Sequence, residues 1–202
     1  MKLYYAPGAC SLASHIALNE IGANYTLIRV DLKTHTIAET GDDYYTINPN
    51  GYVPLLELDS GARFTETAAL LQIIGDMDKA HSLLPASGNE ARWRVLEMVA
   101  YISTELHKNF SLFFNPIIPK DIHPAVKNSI IQRLQKLDQQ LANNEYLAGN
   151  QYSIADIYAF VAVGWTNYVG MDISALKNLN AYIARIAQRP QVQAALKQEG
   201  LA

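Results

Sequence analysis

The chain has 202 residues, half of them apolar and 17% charged, with a net charge of −3. That length allows one large or two small domains with a sizeable buried core. It carries no basic stripe of the kind nucleic acid requires and no apolar run long enough to span a bilayer. Its single cysteine excludes an intramolecular disulfide framework and a cysteine-rich metal cluster. The histidines at 15, 35, 81, 107 and 123 show no paired ligand spacing, so no metal site is expected. The opening lacks the basic segment, apolar stretch and small-residue cleavage site of a secretory signal. The expectation is a cytoplasmic protein in a reducing compartment, with no membrane and no nucleic-acid partner.

From the N-terminus, Lys2–Tyr5 reads as a short strand, and Ala6-Pro7-Gly8 breaks it. Leu12, Ile16, Leu18 and Ile21 then set a helical pattern over Ser11–Ile21. Cys10 falls at the start of that helix. Unpaired N–H groups and the helix dipole favour a thiolate at such a position. Further strands are predicted at Tyr25–Val30, Val53–Leu58 and Arg63–Phe64, the last two joined by an Asp59-Ser60-Gly61 hairpin turn. A helix follows over Thr67–Met77. The order βαβ then ββα predicts a small α/β domain with a mixed sheet over residues 1–80.

Two segments of this half could carry chemistry. Asn48-Pro49-Asn50-Gly51-Tyr52-Val53-Pro54 leads into a strand. A cis bond before Pro54 would turn the Val53 main chain outward, where it could pair with an extended peptide-like ligand; an ordinary trans proline opening a strand is the plain alternative. In Phe64-Thr65-Glu66-Thr67, Glu66 offers a carboxylate for an ammonium group. Thr67 and the helix start behind it suit a carboxylate. A simple helix cap explains the same residues.

The segment His81–Asn89 is the expected linker. From residue 88 to 202 helical periodicity dominates, giving an all-helical second domain. Val126, Ile130, Leu134, Leu137 and Leu141 share one face. Ser153-Ile154-Ala155-Asp156 reads as a capping motif that opens the apolar run Ile157–Trp165, with Tyr152 and Ile157 placed for a hydrophobic staple. Arg189-Pro190 divides the final two helices.

Taken together, Tyr4–His15, Gly41–Tyr44, Asn48–Leu56, Thr65–Ala69, Thr104–Lys108 and Ser153–Asp156 resemble, in this order, the bacterial beta class of the cytosolic glutathione S-transferases. The resemblance covers essentially the whole chain. It implies a thioredoxin-like glutathione-binding domain and an all-α domain forming the electrophile pocket. It also implies a homodimer, with glutathione as co-substrate and hydrophobic electrophiles as partners. Cys10 and His107 correspond to the catalytic pair, and Cys10 could also form a mixed disulfide with glutathione. Val53 with a cis Pro54 corresponds to the clamp on the cysteinyl unit, and Glu66 with Thr67 to the γ-glutamyl site. Lys108 corresponds to a wall of the electrophile pocket, and Thr104 and Glu105 to residues facing glutathione. Tyr5 and Ser11 remain alternative donors to the sulfur.

Phe110, Phe113, Phe114 and Trp165 are candidate apolar wall, with Trp165 expected in the core. The chain departs from the family pattern at three places. His35, within Lys33-Thr34-His35, stands where relatives place a lysine for the glycyl carboxylate, and it is a weaker cation near neutral pH. Tyr52 replaces a glutamine, and Ala100 an asparagine. A non-catalytic binding protein on the same fold is the competing reading.

Overall fold

The computed structural model describes residues 1–202. They form two compact units, Met1–Ala80 with Arg189–Ala202, and His81–Gln188.

The first unit is built on a five-stranded mixed sheet. Its strands are β1 (Lys2–Tyr5), β2 (Thr26–Asp31), β3 (Thr36–Ile37), β4 (Leu55–Glu57) and β5 (Arg63–Thr65). The order is β3-β2-β1-β4-β5, and only β1 and β2 run parallel. The β1 register, Leu3 opposite Leu27 and Leu56, places that residue at the centre of the sheet, fully buried. Helix α1 (Ser11–Glu20) is buried from Ser11 to Leu18, consistent with its packing against both α2 (Thr67–Met77) and the C-terminal helix. A cluster of Tyr4, Ala6, Val30, Ile37, Tyr44, Val53 and Leu55 fills the other side of the strands. Strand β3 has two residues and escaped the sequence reading, because it is too short to show a period of two.

The second unit begins with α3 (Glu90–Tyr101), capped by Asn89, whose Oδ1 accepts from the Ala91 N–H at 2.9 Å. The helical path continues through a π-helical segment, Ile102–His107, into α4 (Lys108–Phe114). Helix α5 (His123–Leu141) buries the five residues read from its periodicity. Helix α6 (Ile154–Tyr168) opens with the capping box anticipated at Ser153 and Asp156, and Tyr152 and Ile157 are both buried. Asp156 is fully buried and accepts from the Leu147 N–H, the Tyr182 hydroxyl, and the N–H and hydroxyl of Ser153. Helix α7 (Lys177–Ala187) completes the unit.

Two boundaries differ from the sequence reading. The expected linker is part of the helical unit: Leu83 and Leu84 are buried, and the Leu83 carbonyl accepts from the Ile154 N–H. The expected helical domain of residues 88–202 loses its end to the first unit. Helix α8 (Pro190–Gln198) packs on α1. Arg189 grips Glu20 through two hydrogen bonds of 2.7 and 3.1 Å. Such long-range pairing leaves no local signal in the chain. No helix is long and apolar enough to cross a membrane.

Candidate functional site

Three turns of the first unit meet at Cys10: the β1–α1 turn, the loop before β4, and the β5–α2 turn. Cys10 is the N-cap residue of α1 and is half-buried. Its thiol donates to the Val53 carbonyl at 3.3 Å. The thiolate expected at this helix start is not favoured. Burial pushes the Cys10 thiol above its ordinary value, and the Glu66 carboxylate adds to that. The Thr67 hydroxyl and the N–H groups of Cys10 and Ser11 pull the other way and are outweighed.

The Val53–Pro54 peptide bond is cis. The loop ahead of it is fixed through Tyr52, whose carbonyl accepts from the Tyr44 hydroxyl at 3.0 Å and from Asn48 Nδ2 at 2.7 Å. The Tyr52 ring itself is 71% exposed. His35 adopts a left-handed φ of 54°, and its Nδ1–H donates to the Gly51 carbonyl at 3.1 Å. Its ring lies 4.8 Å from that of Tyr45. Gly51 is required here: its φ is +69°, and a Cβ would meet Tyr45 at 2.7 Å and His35 at 2.8 Å.

Glu66 is exposed and holds φ at 69°, a conformation that costs a non-glycine residue about 1–3 kcal/mol and gathers at functional sites. No side chain caps α2, and its first turn holds no acidic residue. Thr67 is buried, and apart from its pull on the Cys10 thiol its hydroxyl has no hydrogen-bond partner. A helix start with open N–H groups beside a buried hydroxyl is a place for a carboxylate.

Two further candidates lie on the strand and helix that flank the Cys10 turn. The Ser11 hydroxyl both donates to the Ala6 carbonyl and accepts from its N–H, each at 3.2 Å, so it closes the turn instead of serving the sulfur. Tyr5 is buried with its ring 6.2 Å from that of His15. Burial and the Glu199 carboxylate push its hydroxyl above the usual tyrosine value, which keeps it protonated.

The other candidates stand on the helical unit. His107 Nδ1 shares a 2.5 Å hydrogen bond with the Tyr158 hydroxyl, and its ring meets the Trp165 ring edgewise at 4.9 Å. Burial, with Lys108 adding to it, lowers the imidazole to about 4, so His107 is neutral at physiological pH. It can offer an N–H or a lone pair and supplies no positive charge. Lys108 is exposed. Thr104 turns its hydroxyl back to the Ala100 carbonyl at 3.1 Å. Glu105 is paired with Arg133 at 2.6 Å. Trp165 is buried, as expected, together with Phe110.

The π-helical segment spans Thr104, Glu105 and His107; such segments are frequent at functional sites. It was not legible in the sequence. Neither was a polar network behind the Cys10 turn. There Glu199 accepts from the Gly8 N–H at 2.9 Å and pairs with His15 Nδ1 at 2.8 Å, while His15 Nε2 meets Gln198 at 2.8 Å.

Comparison with known proteins settles the lineage. Residues 8–77 match the model of the glutathione S-transferase N-terminal domain, and residues 101–190 that of the C-terminal domain. The glutathione S-transferase GstA of Escherichia coli O157:H7 is 41% identical over 201 residues, covering both chains fully. The chain belongs to the glutathione S-transferase family. Within it, the solved structure of a bacterial beta-class transferase from Sphingomonas chungbukensis matches at 46% identity with a TM-score of 0.95, over the full length of both chains. A ternary complex of BphK, a bacterial transferase, matches equally well at 46% identity and a TM-score of 0.95, again over both full chains. The fold is therefore that of the cytosolic transferases, and the enzyme is a glutathione transferase of the beta class, with glutathione as co-substrate.

Proposed function

We propose that the chain transfers the glutathione sulfur to hydrophobic electrophiles, with glutathione held along the first unit. The observation that carries the reading is the Thr67 hydroxyl, buried at the uncapped start of α2 with no partner beyond the Cys10 thiol, on the turn that meets Cys10. The γ-glutamyl carboxylate is assigned to the α2 N–H groups and Thr67, and its ammonium to Glu66. The cysteinyl main chain is assigned to Val53 beside Pro54 and Tyr52, and the glycyl carboxylate to the side of His35.

In this arrangement the protonated Cys10 thiol turns from the Val53 carbonyl to the glutathione sulfur and donates to it. Stabilising the thiolate by about two pKa units requires roughly 2.7 kcal/mol. One charge-assisted hydrogen bond supplies about 1.5–3 kcal/mol. The glutathione thiol gives its proton to water, the thiolate attacks the electrophilic carbon, the C–S bond forms, and the leaving group departs with its electron pair. Cys10 and His107 are the proposed catalytic residues, with His107 acting as a neutral hydrogen-bonding group. Tyr5, Thr104, Glu105 and Lys108 are retained as proposed substrate contacts, with Ser11 contributing through its main chain. A homodimer acting in the cytoplasm fits this reading.

The test is turnover of glutathione with a chloronitrobenzene electrophile, beside glutathione-dependent reduction of a mixed disulfide, in wild type and Cys10→Ala. Conjugation is expected in wild type, falling in Cys10→Ala. Disulfide reduction lost in the variant while conjugation survives would move Cys10 to redox work. Absence of both activities and of glutathione binding in wild type would leave the non-catalytic reading.

A further inference from the structure

Helix α6 carries the apolar run read from the sequence, yet it buries a phenol hydroxyl within that run. Tyr158 is 1% exposed. A phenylalanine would fill the same space with no polar atom to satisfy, so a hydroxyl at this depth has to be accounted for. Tyr158 and Trp165 are seven residues apart, two helical turns, and so share one face of α6. Helix α6 packs on the π-helical segment that ends at His107. Both rings meet the imidazole edgewise, Tyr158 at 5.8 Å and Trp165 at 4.9 Å between centroids.

The Tyr158 hydroxyl lies 2.5 Å from His107 Nδ1. A neutral imidazole has one proton for two nitrogens, so the bond at Nδ1 decides what Nε2 can do. A phenol O–H is the better donor of the two groups, because the phenol oxygen shares its electrons with its ring. The imidazole lone pair is the better acceptor. The bond therefore runs from Tyr158 to Nδ1, and the proton of the imidazole stays on Nε2. The edgewise contacts with two rings hold the plane of the imidazole, which fixes the direction of the Nε2–H as well.

We infer that Tyr158 is a positioning residue, whose hydroxyl locks His107 in the Nε2–H tautomer and makes it a hydrogen-bond donor to the reacting sulfur. A donor at Nε2 favours a sulfur that carries negative charge, whereas a lone pair at the same place would repel it. The use of that donor rests on the proposed catalytic role of His107; the tautomer does not.

The experiment is a long-range proton–nitrogen correlation spectrum of the imidazole rings in the full chain at neutral pH, which separates the two tautomers by their nitrogen shifts. His107→Gln identifies the His107 signals. Wild type is expected to show the Nε2–H tautomer alone, and Tyr158→Phe a mixture of the two, with the other imidazoles unchanged as the mark of an intact fold. In conjugation of a chloronitrobenzene, Tyr158→Phe should lower kcat about ten-fold, the size of one hydrogen bond, with KM for glutathione unchanged. Adding Tyr158→Phe to His107→Gln should cost nothing further, because Tyr158 acts through that ring. An Nδ1–H tautomer in wild type, a tautomer unmoved in Tyr158→Phe, or a further ten-fold loss in the double variant would overturn the inference. A tautomer that shifts while turnover stays constant would uphold the placement of the proton and remove His107 from the reaction.

Discussion

Replacing Glu199 by alanine is expected to destabilise the chain by about 4 kcal/mol. The Glu199 side chain is completely buried, and so is that of its partner His15. One carboxylate oxygen pairs with His15 Nδ1 at 2.8 Å, and the other accepts from the Gly8 N–H at 2.9 Å. Alanine deprives both groups of that acceptor, His15 in a fully buried place and Gly8 in a partly buried one. Losing the acceptor of a buried group costs about 1–3 kcal/mol, and two such losses lie between about 2 and 6, with Gly8 at the lower end. Breaking a buried pair by removing one member typically costs about 3–5 kcal/mol, and the two ranges overlap near 4. For a chain of this length each kcal/mol lowers Tm by about 2–4 °C, so the expected drop is about 8–16 °C. Glu199→Gln keeps a carbonyl acceptor for one of the two groups and should lose roughly half as much. Glu97→Ala removes an exposed pair with Arg94 and should barely move the midpoint. The assay is thermal and urea unfolding of the three variants followed by circular dichroism. A loss under about 1 kcal/mol for Glu199→Ala would refute the reasoning, because it would mean that water reaches His15 and Gly8 and replaces the carboxylate.

His107 makes stability depend on pH. Its imidazole is lowered to about 4 in the folded chain against 6.5 when unfolded, so the unfolded state binds the proton first as pH falls. Stability is therefore lost below about pH 6.5 and levels off near 4; between pH 7 and pH 5 the loss is about 2 kcal/mol. Urea midpoints at the two pH values should show a smaller difference in His107→Gln than in wild type; equal differences would contradict the burial argument. For Cys10, the pH profile of alkylation by iodoacetamide should rise at higher pH than for an unstructured thiol, and Thr67→Val should move it higher still, because the hydroxyl lowers the thiol. A Thr67→Val profile that stays in place would remove Thr67 from the sulfur's surroundings. Asp156→Ala strips the acceptor from four hydrogen bonds at the start of α6 and should cost about 4 kcal/mol or more, read by urea unfolding.

What the sequence revealed of the fold follows the range of each interaction. Helix α2, the α5 core face and the capping box of α6 are set by residues within a few positions of one another, and all three were legible. The 59–61 hairpin turn was legible for the same reason, since its residues fix the antiparallel pairing of β4 with β5. Strand β3 was not, because it is defined by its partner: Val30 opposite Ile37 and Asp31 opposite Thr36. The return of residues 189–202 to the first unit is longer in range still. His15 and Glu199 are 184 positions apart, and neither has a neighbour that betrays the pairing. Periodicity assigned α8 to the helices that precede it, whereas the contacts assign it to α1.

The same distinction explains Cys10. Sequence places it at a helix start, and a helix start favours a thiolate through groups one or two residues away. The structure keeps those groups, and the N–H groups of Cys10 and Ser11 do lower the thiol. What the local reading omits is the cost of removing the sulfur from water, which depends on Val53, Glu66 and Thr67 arriving from other turns. Desolvation exceeds the local stabilisation, and the thiol stays protonated and donates to Val53. A protonated donor serves conjugation, because it can hold a second sulfur as the thiolate; a thiolate at position 10 would repel that sulfur and serve exchange instead. On the proposed function, the choice between the two chemistries rests on burial contributed from the loop before β4 and the start of α2, and a change at Thr67 should shift it as surely as a change at Cys10.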